Sequence, residues 1–390
     1  MQEQKEKIIF SFKKSRNTSD STVFAMRVTS DFENQILIQK SKRSEQVKEF
    51  LLSSTEEEKV AFIQSLLKQQ LFMHYYLIEA NRFTLLLDTN VIQDILSAKN
   101  NRQREVRFIA TKALLCFLED YAHANIWLCI TPAVLYELNE QLPISNISDY
   151  KKVLKISENV AIELGIPTYH TGFSSLKEIK KQTKLLHADS KNIQNALNQI
   201  NEKSWKINFE QQNGRIRIPM AVAEYSVPNI KLSYLDPFYV KWVLMNTIER
   251  KMFEQNKDQK KARKFMNDKN VGISKLFKIK KGSLMGLADI DLLTRANLTS
   301  QTALNSPVIT SAITYDDALF SALSERLGSV HNGGKFESGK DNAHDMASLM
   351  VYQFAISGAR SDFLTERSKI YSKAFEKFAD DILKAEKTDC

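Results

Sequence analysis

The sequence predicts an α/β fold in which a central parallel sheet is interrupted by a large, mainly helical insertion. Three observations carry that expectation. Short apolar runs that end abruptly in polar residues, FTLLL at 83–87, IWLCI at 126–130 and PVITSAIT at 307–314, are each followed by a helical pattern. Continuous runs of this kind suit strands buried on both faces of a parallel sheet. Between the second and third runs, residues 146–284 are rich in Lys, Asn and Gln and show no clear strand–helix alternation. Finally, 43% hydrophobic and 26% charged residues over 390 positions can build a packed core of two or three units, which excludes general disorder.

The elements follow in order. KIIFSF, TVFAMRV and QILIQK, separated by polar turns within 7–40, predict a small hairpin or meander. Thr55 followed by Glu58 forms a capping-box pattern, and Val60, Ile63, Leu67 and Leu71 predict a helix running to about Ala80. After the 83–87 strand, a helix is expected over 104–121 and a strand over 126–130. Thr131 then stands as N-cap with Pro132 at the first helical position, a specific start signal. Two long helices are expected near 174–204 and 234–266, with RIRIPMAVAEYSVP (215–228) as an extended segment between them. Beyond them come a helix over 286–300, the 307–314 strand, a helix over 316–328, a Gly-rich loop at 331–340, a helix over 342–356 and a last amphipathic helix over 361–386. The chain thus divides into a hairpin and helix region (1–80), the first part of the sheet domain (81–145), the helical basic insertion (146–284), the second part (285–360) and a C-terminal helix (361–390).

Composition narrows the function classes. Three cysteines, Cys116, Cys129 and Cys390, share no motif spacing, so disulfide scaffolds and zinc ribbons are not expected and a reducing, cytoplasmic setting is the default. No window approaches the roughly 18 continuous apolar residues of a membrane span, and the charged amino terminus does not resemble a signal peptide. Lys and Arg outnumber Asp and Glu by 55 to 46, a net charge of +9 that favours an anionic partner.

Acidic residues recur where strands end or helices begin. Asp88 follows the first strand in LLLDTNV, Glu137 lies on the helix opened by Thr131-Pro132, Asp289 and Asp291 lie in GLADIDLL, and Asp316-Asp317 follow the last strand. In an open α/β sheet, functional groups collect outside the carboxyl ends of the strands. Like charges gathered there are costly unless a cation neutralises them, and carboxylate oxygens select hard ions such as Mg²⁺ or Mn²⁺. Such a site can activate a water and stabilise a departing oxygen in phosphodiester hydrolysis. Each acid also has a plainer reading. Asp88 could form the turn, Glu137 could sit on a solvated face opposite Leu135, Leu138 and Leu142, Asp289 could answer a helix dipole, and Asp316 could be an N-cap.

Taken together and in order, these segments resemble the PIN-domain family of metal-dependent nucleases: Asp88-Thr89-Asn90-Val91 after an apolar strand, Thr131-Pro132 with Glu137 five residues after the Pro, Ala288-Asp289 opening a helix, and Thr314-Tyr315-Asp316 ending a strand. The resemblance covers about 80–145 and 285–360. It implies a three-layer α/β/α domain, an acidic pocket in which Asp88, Glu137, Asp289 and Asp316 hold Mg²⁺ or Mn²⁺, supporting roles for Asn90 and Thr314, and cleavage of single-stranded RNA. A homodimer stays open, since PIN domains often pair. The separation of 152 in residue number from Glu137 to Asp289 departs from the compact family pattern and implies the insertion. The choice between Asp289 and Asp291, and between Asp316 and Asp317, also stays open. A haloacid-dehalogenase phosphatase would need a second Asp where Asn90 stands. A DNA-directed flap-endonuclease type lacks its dense acidic string here, and a non-catalytic PIN-like module that binds nucleic acid or protein is the alternative of another class. His344-Asp345, just before an apolar helix, could reach the same pocket, though capping or surface roles suit it better.

The basic charge is concentrated. Residues 251–281 hold eleven Lys/Arg and three Asp/Glu, among them Lys260, Lys261, Arg263, Lys264, Lys278, Lys280 and Lys281. Phe253, Phe265 and Phe277 interleave them, after Tyr239 and Trp242. That combination suits single-stranded nucleic acid, with RNA favoured by the resemblance, through phosphate pairing and base stacking.

Overall fold

The structure, a computed structural model, describes residues 8–14, 21–27, 30–70, 82–205, 210–212, 215–217, 227–255, 273–280, 282–296, 308–320, 322–323 and 361–384. The chain begins with an antiparallel hairpin, β1 (Ile8–Lys14) and β2 (Ser21–Arg27), paired from Ile8 with Arg27 to Lys14 with Ser21. QILIQK, expected as a third short strand, lies instead inside α1 (Ser30–Ser53). Phe32, Ile36, Val47, Phe50 and Leu51 are buried at helical spacing while Leu37 and Ile38 stay exposed. A 3.6-residue period sustained over many turns outweighs a brief alternation. α2 (Glu56–Gln70) opens on the expected capping box: Thr55 N–H donates to Glu58 Oε2 at 3.0 Å and Glu58 N–H to Thr55 Oγ1 at 3.2 Å.

The sheet domain starts with β3 (Arg82–Leu87) and α3 (Thr89–Ser97). α4 (Arg102–Cys116) begins two residues before the expected start because the Asn101 side chain accepts from Arg104 N–H, and it ends in a π-helical turn over Phe117–Tyr121. β4 (Ile126–Ile130) leads into α5 (Pro132–Leu138), with Thr131 and Pro132 in the expected positions. α6 (Ile147–Leu164) stops at Gly165, whose φ of 65° makes the left-handed C-cap.

One departure changes the architecture. β5 (Thr168–His170), inside the range expected to be a mainly helical insertion, is a strand of the main sheet. Its three residues are too few for a periodicity signal, and pairing with β4 on one side and β2 on the other reveals it. α7 (Leu176–Glu202) matches the first long helix expected. It is followed by a small hairpin of β6 (Glu210–Gln212) and β7 (Arg215–Arg217), the latter in the expected extended segment. α8 (Pro237–Gln255), a second hairpin of β8 (Lys278–Lys280) and β9 (Ser283–Met285), α9 (Leu287–Arg295) and β10 (Val308–Ile313) complete the domain. α10 (Ser361–Phe378) and the π-helical turn after it dock on the end of α4, where Phe378 packs against Phe117 and Tyr121. The expected helical stretch at 71–80, the 297–300 end of the 286–300 helix, the Gly-rich loop, the 342–356 helix, His344-Asp345, and Lys260, Lys261, Arg263, Lys264 and Lys281 lie outside the described residues.

The six-stranded sheet has the order β1-β2-β5-β4-β3-β10, and its last four strands are parallel. Both faces of its centre are covered: Phe83, Thr84, Leu85, Leu86 and Leu87 are successive residues of β3, and all are buried. Counted by appearance among the parallel strands, the spatial order is third, second, first, fourth. The direction of winding therefore reverses between β3 and β10, and this is where an open α/β sheet leaves a crevice outside its strand ends. No helix among the described residues is long and apolar enough to cross a membrane.

Candidate active site

Asp88 stands at the carboxyl end of β3, on one side of the reversal point, and Thr314 to Asp316 stand at the end of β10 on the other. The backbone joins the two ends, with Asp88 N–H donating to Ile313 O at 3.1 Å. Thr314 Oγ1 then donates to Asp88 Oδ2 at 2.6 Å, and Asn90 Nδ2 donates to the same oxygen at 3.3 Å. Asp88 precedes α3 in an N-cap position but makes no side-chain cap. Its buried carboxylate is held instead by the Thr314 hydroxyl and the Asn90 side chain.

Glu137 does not lie on a solvated face. Its Oε2 accepts from Thr89 Oγ1 at 2.8 Å and its Oε1 from Ala288 N–H at 3.2 Å. The face of α5 opposite its core residues is covered by the start of α3 and the N-terminus of α9, which a helical wheel of α5 alone cannot show. The α9 N-terminus welcomes a carboxylate because its first N–H groups have no partner within the helix. Gly286 permits this junction. Its φ is 98°, and a Cβ there would lie 2.1 Å from Leu276 O.

Asp289, in the first turn of α9, shares the electrostatic neighbourhood of Asp88, Glu137 and Asp316. Asp291 points elsewhere: it pairs with Arg295 at 2.9 Å and meets Tyr234 OH at 3.3 Å. Asp316 caps the helical turn after β10, with its Oδ1 accepting from Ala318 N–H at 2.7 Å and Leu319 N–H at 3.1 Å. Its Oδ2 lies 3.7 Å from Lys278 Nζ. Asp317, next to Asp316, is exposed. The crevice therefore brings together Asp88, Glu137, Asp289 and Asp316 and leaves Asp291 and Asp317 out.

The electrostatics follow from this placement. Burial pushes the Asp88 carboxyl up to about 7; the Thr314 hydroxyl works against that rise, and the Glu137 and Asp316 charges add to it. Burial also raises Glu137, opposed by its bonds to Thr89 and the α9 backbone. Asp289 is held well above the usual carboxylate range by burial first and then by the Asp88, Glu137 and Asp316 charges, with Lys278 pulling the other way. Among the described residues, Lys278 is the lysine that opposes this carboxylate charge. The oxygens of the four carboxylates suit a hard dication, Mg²⁺ or Mn²⁺, in donor chemistry and in charge. They do not stand as an assembled coordination shell: among the described residues no three His, Cys, Asp or Glu side chains form a ready ligand group.

Other expected features fare unevenly. Lys278 and Lys280 are exposed on β8, with Lys278 at the rim of the crevice. Tyr239 and Phe277 are buried at 0% and 6% exposure, so neither offers a face for base stacking. Sequence reasoning missed the part Thr89 plays in holding Glu137, although Thr89 lies within the quoted motif. It also missed Gly286, whose signal is only a lone glycine before a helix. No family model, no curated protein and no solved structure matches the chain.

Proposed function

We propose that the chain is a divalent-metal-dependent endonuclease with a three-layer, PIN-like α/β/α domain, hydrolysing phosphodiester bonds with RNA as the preferred substrate. The observation that carries this reading is the meeting of Asp88, Glu137, Asp289 and Asp316, from four separate segments, at the point where the strand order reverses. Asp88, Asp289 and Asp316, with Glu137 behind them, would hold Mg²⁺ or Mn²⁺. An ion bound there supplies Lewis acidity and a more acidic water. The chain's own groups have separable tasks. Thr314 and Asn90 aim Asp88, Thr89 and the α9 N-terminus fix Glu137, and Lys278 stands where it can pair with a phosphate at the rim. Cys116 and Cys129 are buried as thiols, which accords with a cytoplasmic setting.

The test is cleavage of end-labelled single-stranded RNA and DNA by the full chain with Mg²⁺, with Mn²⁺ and with EDTA, beside Asp88→Asn. The reading expects metal-dependent cleavage that is lost in the variant while binding persists. Cleavage in EDTA, or undiminished cleavage by purified Asp88→Asn, overturns it. A second reading, a PIN-like module that binds nucleic acid without cleaving it, draws on the unassembled ligand group and on both Glu137 oxygens being already engaged. Binding with no cleavage of either polymer at any metal concentration would favour that reading.

A further inference from the structure

We propose that the solvent face of α7 is a track for the phosphate backbone of a single-stranded nucleic acid; the proposal rests on the nuclease reading above and names where its substrate docks. α7 is 27 residues long and buries Ile179, Thr183, Leu186, Ile193, Leu197 and Ile200 against the domain. Lys177, Lys181, Lys184 and Lys191 are all exposed on the opposite side. At 3.6 residues per turn they fall within an arc of about 80° and extend over roughly 21 Å of helix. The intervening and following positions of that stripe, Ala188 and Asn195, are neutral.

Of the three acids of α7, Glu202 stands at the far end of the helix, eleven residues beyond Lys191, and the other two are engaged elsewhere. The Glu178 carboxylate accepts from the Ser174 N–H and hydroxyl. Asp189 is fully buried and accepts from three backbone N–H groups, those of Ser233, Tyr234 and Leu235. Among the described residues, no carboxylate pairs with the four stripe lysines. A solvated helix face ordinarily alternates its charges, because like charges at three- and four-residue spacing destabilise the helix. Lys177, Lys181 and Lys184 have that spacing, and an external polyanion relieves it.

The track is tied to both walls of the acidic crevice. Tyr136, the residue before Glu137, meets His187 Nδ1 of α7 at 3.0 Å. Gln194 Nε2 donates to Gly282 O at 3.1 Å, in the turn of the hairpin that carries Lys278. A linear stripe with charge and without exposed aromatic faces fits an extended phosphate backbone gripped by electrostatics and without base readout.

The experiment measures binding apart from cleavage. Full-length Asp88→Asn is titrated into a fluorescein-labelled 20-nucleotide polyuridine RNA from 50 to 300 mM KCl by anisotropy. It is compared with the same protein carrying Lys181→Gln, Lys184→Gln and Lys191→Gln. Each lost phosphate contact lowers the slope of log K against log salt by about 0.7, so the triple variant should lose about two in slope and bind at least about tenfold more weakly at 50 mM. A control removing the same charge from α6, Lys151→Gln, Lys152→Gln and Lys155→Gln, should change Kd less than about threefold. Matching circular dichroism and melting temperatures show that the exposed substitutions leave the fold intact. An unchanged slope, an equal effect from the α6 control, or no RNA binding by the parent overturns the proposal. Binding through α7 with no cleavage by the wild type under any metal sinks the nuclease reading and leaves the track standing. Cleavage with binding indifferent to α7 does the converse.

Discussion

An Asp88→Asn substitution removes the most buried charge of the acidic crevice, at 1% exposure, while keeping the shape of the side chain. Folded, Asp88 keeps its proton up to about pH 7; unfolded, it releases it near its ordinary value of 3.8. Between those values the folded chain binds the extra proton, so the contribution of this group is fully present below about pH 4 and is lost as pH rises through 7. The displacement from 3.8 to about 7 corresponds to at most roughly 4 kcal/mol at 1.36 kcal/mol per unit, a sizeable part of a domain stability of about 5–15 kcal/mol. Glu137 and Asp289 are displaced in the same direction, so the metal-free protein should lose stability from pH 5 to pH 8. Guanidinium denaturation in EDTA at several pH values reads this directly. The stability difference between Asp88→Asn and wild type should grow in favour of the variant by a few kcal/mol from pH 5 to pH 8. At pH 8, Mn²⁺ at about 100 times its Kd should return roughly 2.7 kcal/mol to the wild type and much less to the variant. A difference that stays constant with pH would refute the idea that burial and neighbouring carboxylates hold the proton on Asp88.

Two further predictions probe the frame around the crevice. Gly286→Ala sets a Cβ 2.1 Å from Leu276 O at a φ of 98°, so it should cost at least about 1–3 kcal/mol by chemical denaturation; a loss below about 0.5 kcal/mol would mean that the junction with α9 is free to move. Asp189→Asn exchanges one acceptor oxygen for a donor facing the Ser233, Tyr234 and Leu235 N–H groups, and should cost about 1–3 kcal/mol, with faster amide exchange at 233–235 that an unchanged exchange pattern would contradict.

Local signals made much of this chain legible. The capping box at Thr55 and Glu58, the Thr131-Pro132 helix start and the apolar runs at 83–87, 126–130 and 308–313 act within a few residues, and they appear where the sequence predicts them. Asp88 could be found because a polar residue directly after an apolar strand must stand at its end, and Asp316 because it follows the end of the last strand by three residues. By itself, then, the sequence determined the type and place of the long elements, the mixed α/β character and the acids at the strand ends.

The tertiary structure decided the rest, because each remaining question depends on partners far away in the chain. β5 is too short to announce itself and becomes a strand only by pairing with β4 and β2. Glu137 sits on the polar side of α5, but α3 and the α9 N-terminus cover that side across 48 and 151 residues. Asp289 and Asp291, two residues apart on one helix, point to opposite surroundings, one into the carboxylate crevice and the other onto Arg295. Tyr239 and Phe277 look in sequence like faces for nucleic-acid bases, yet they are buried in the core, since apolar rings gain more from leaving water than from waiting at the surface. Spacing along the chain reports which groups are available; which of them face one another is set by the packing of elements remote in sequence.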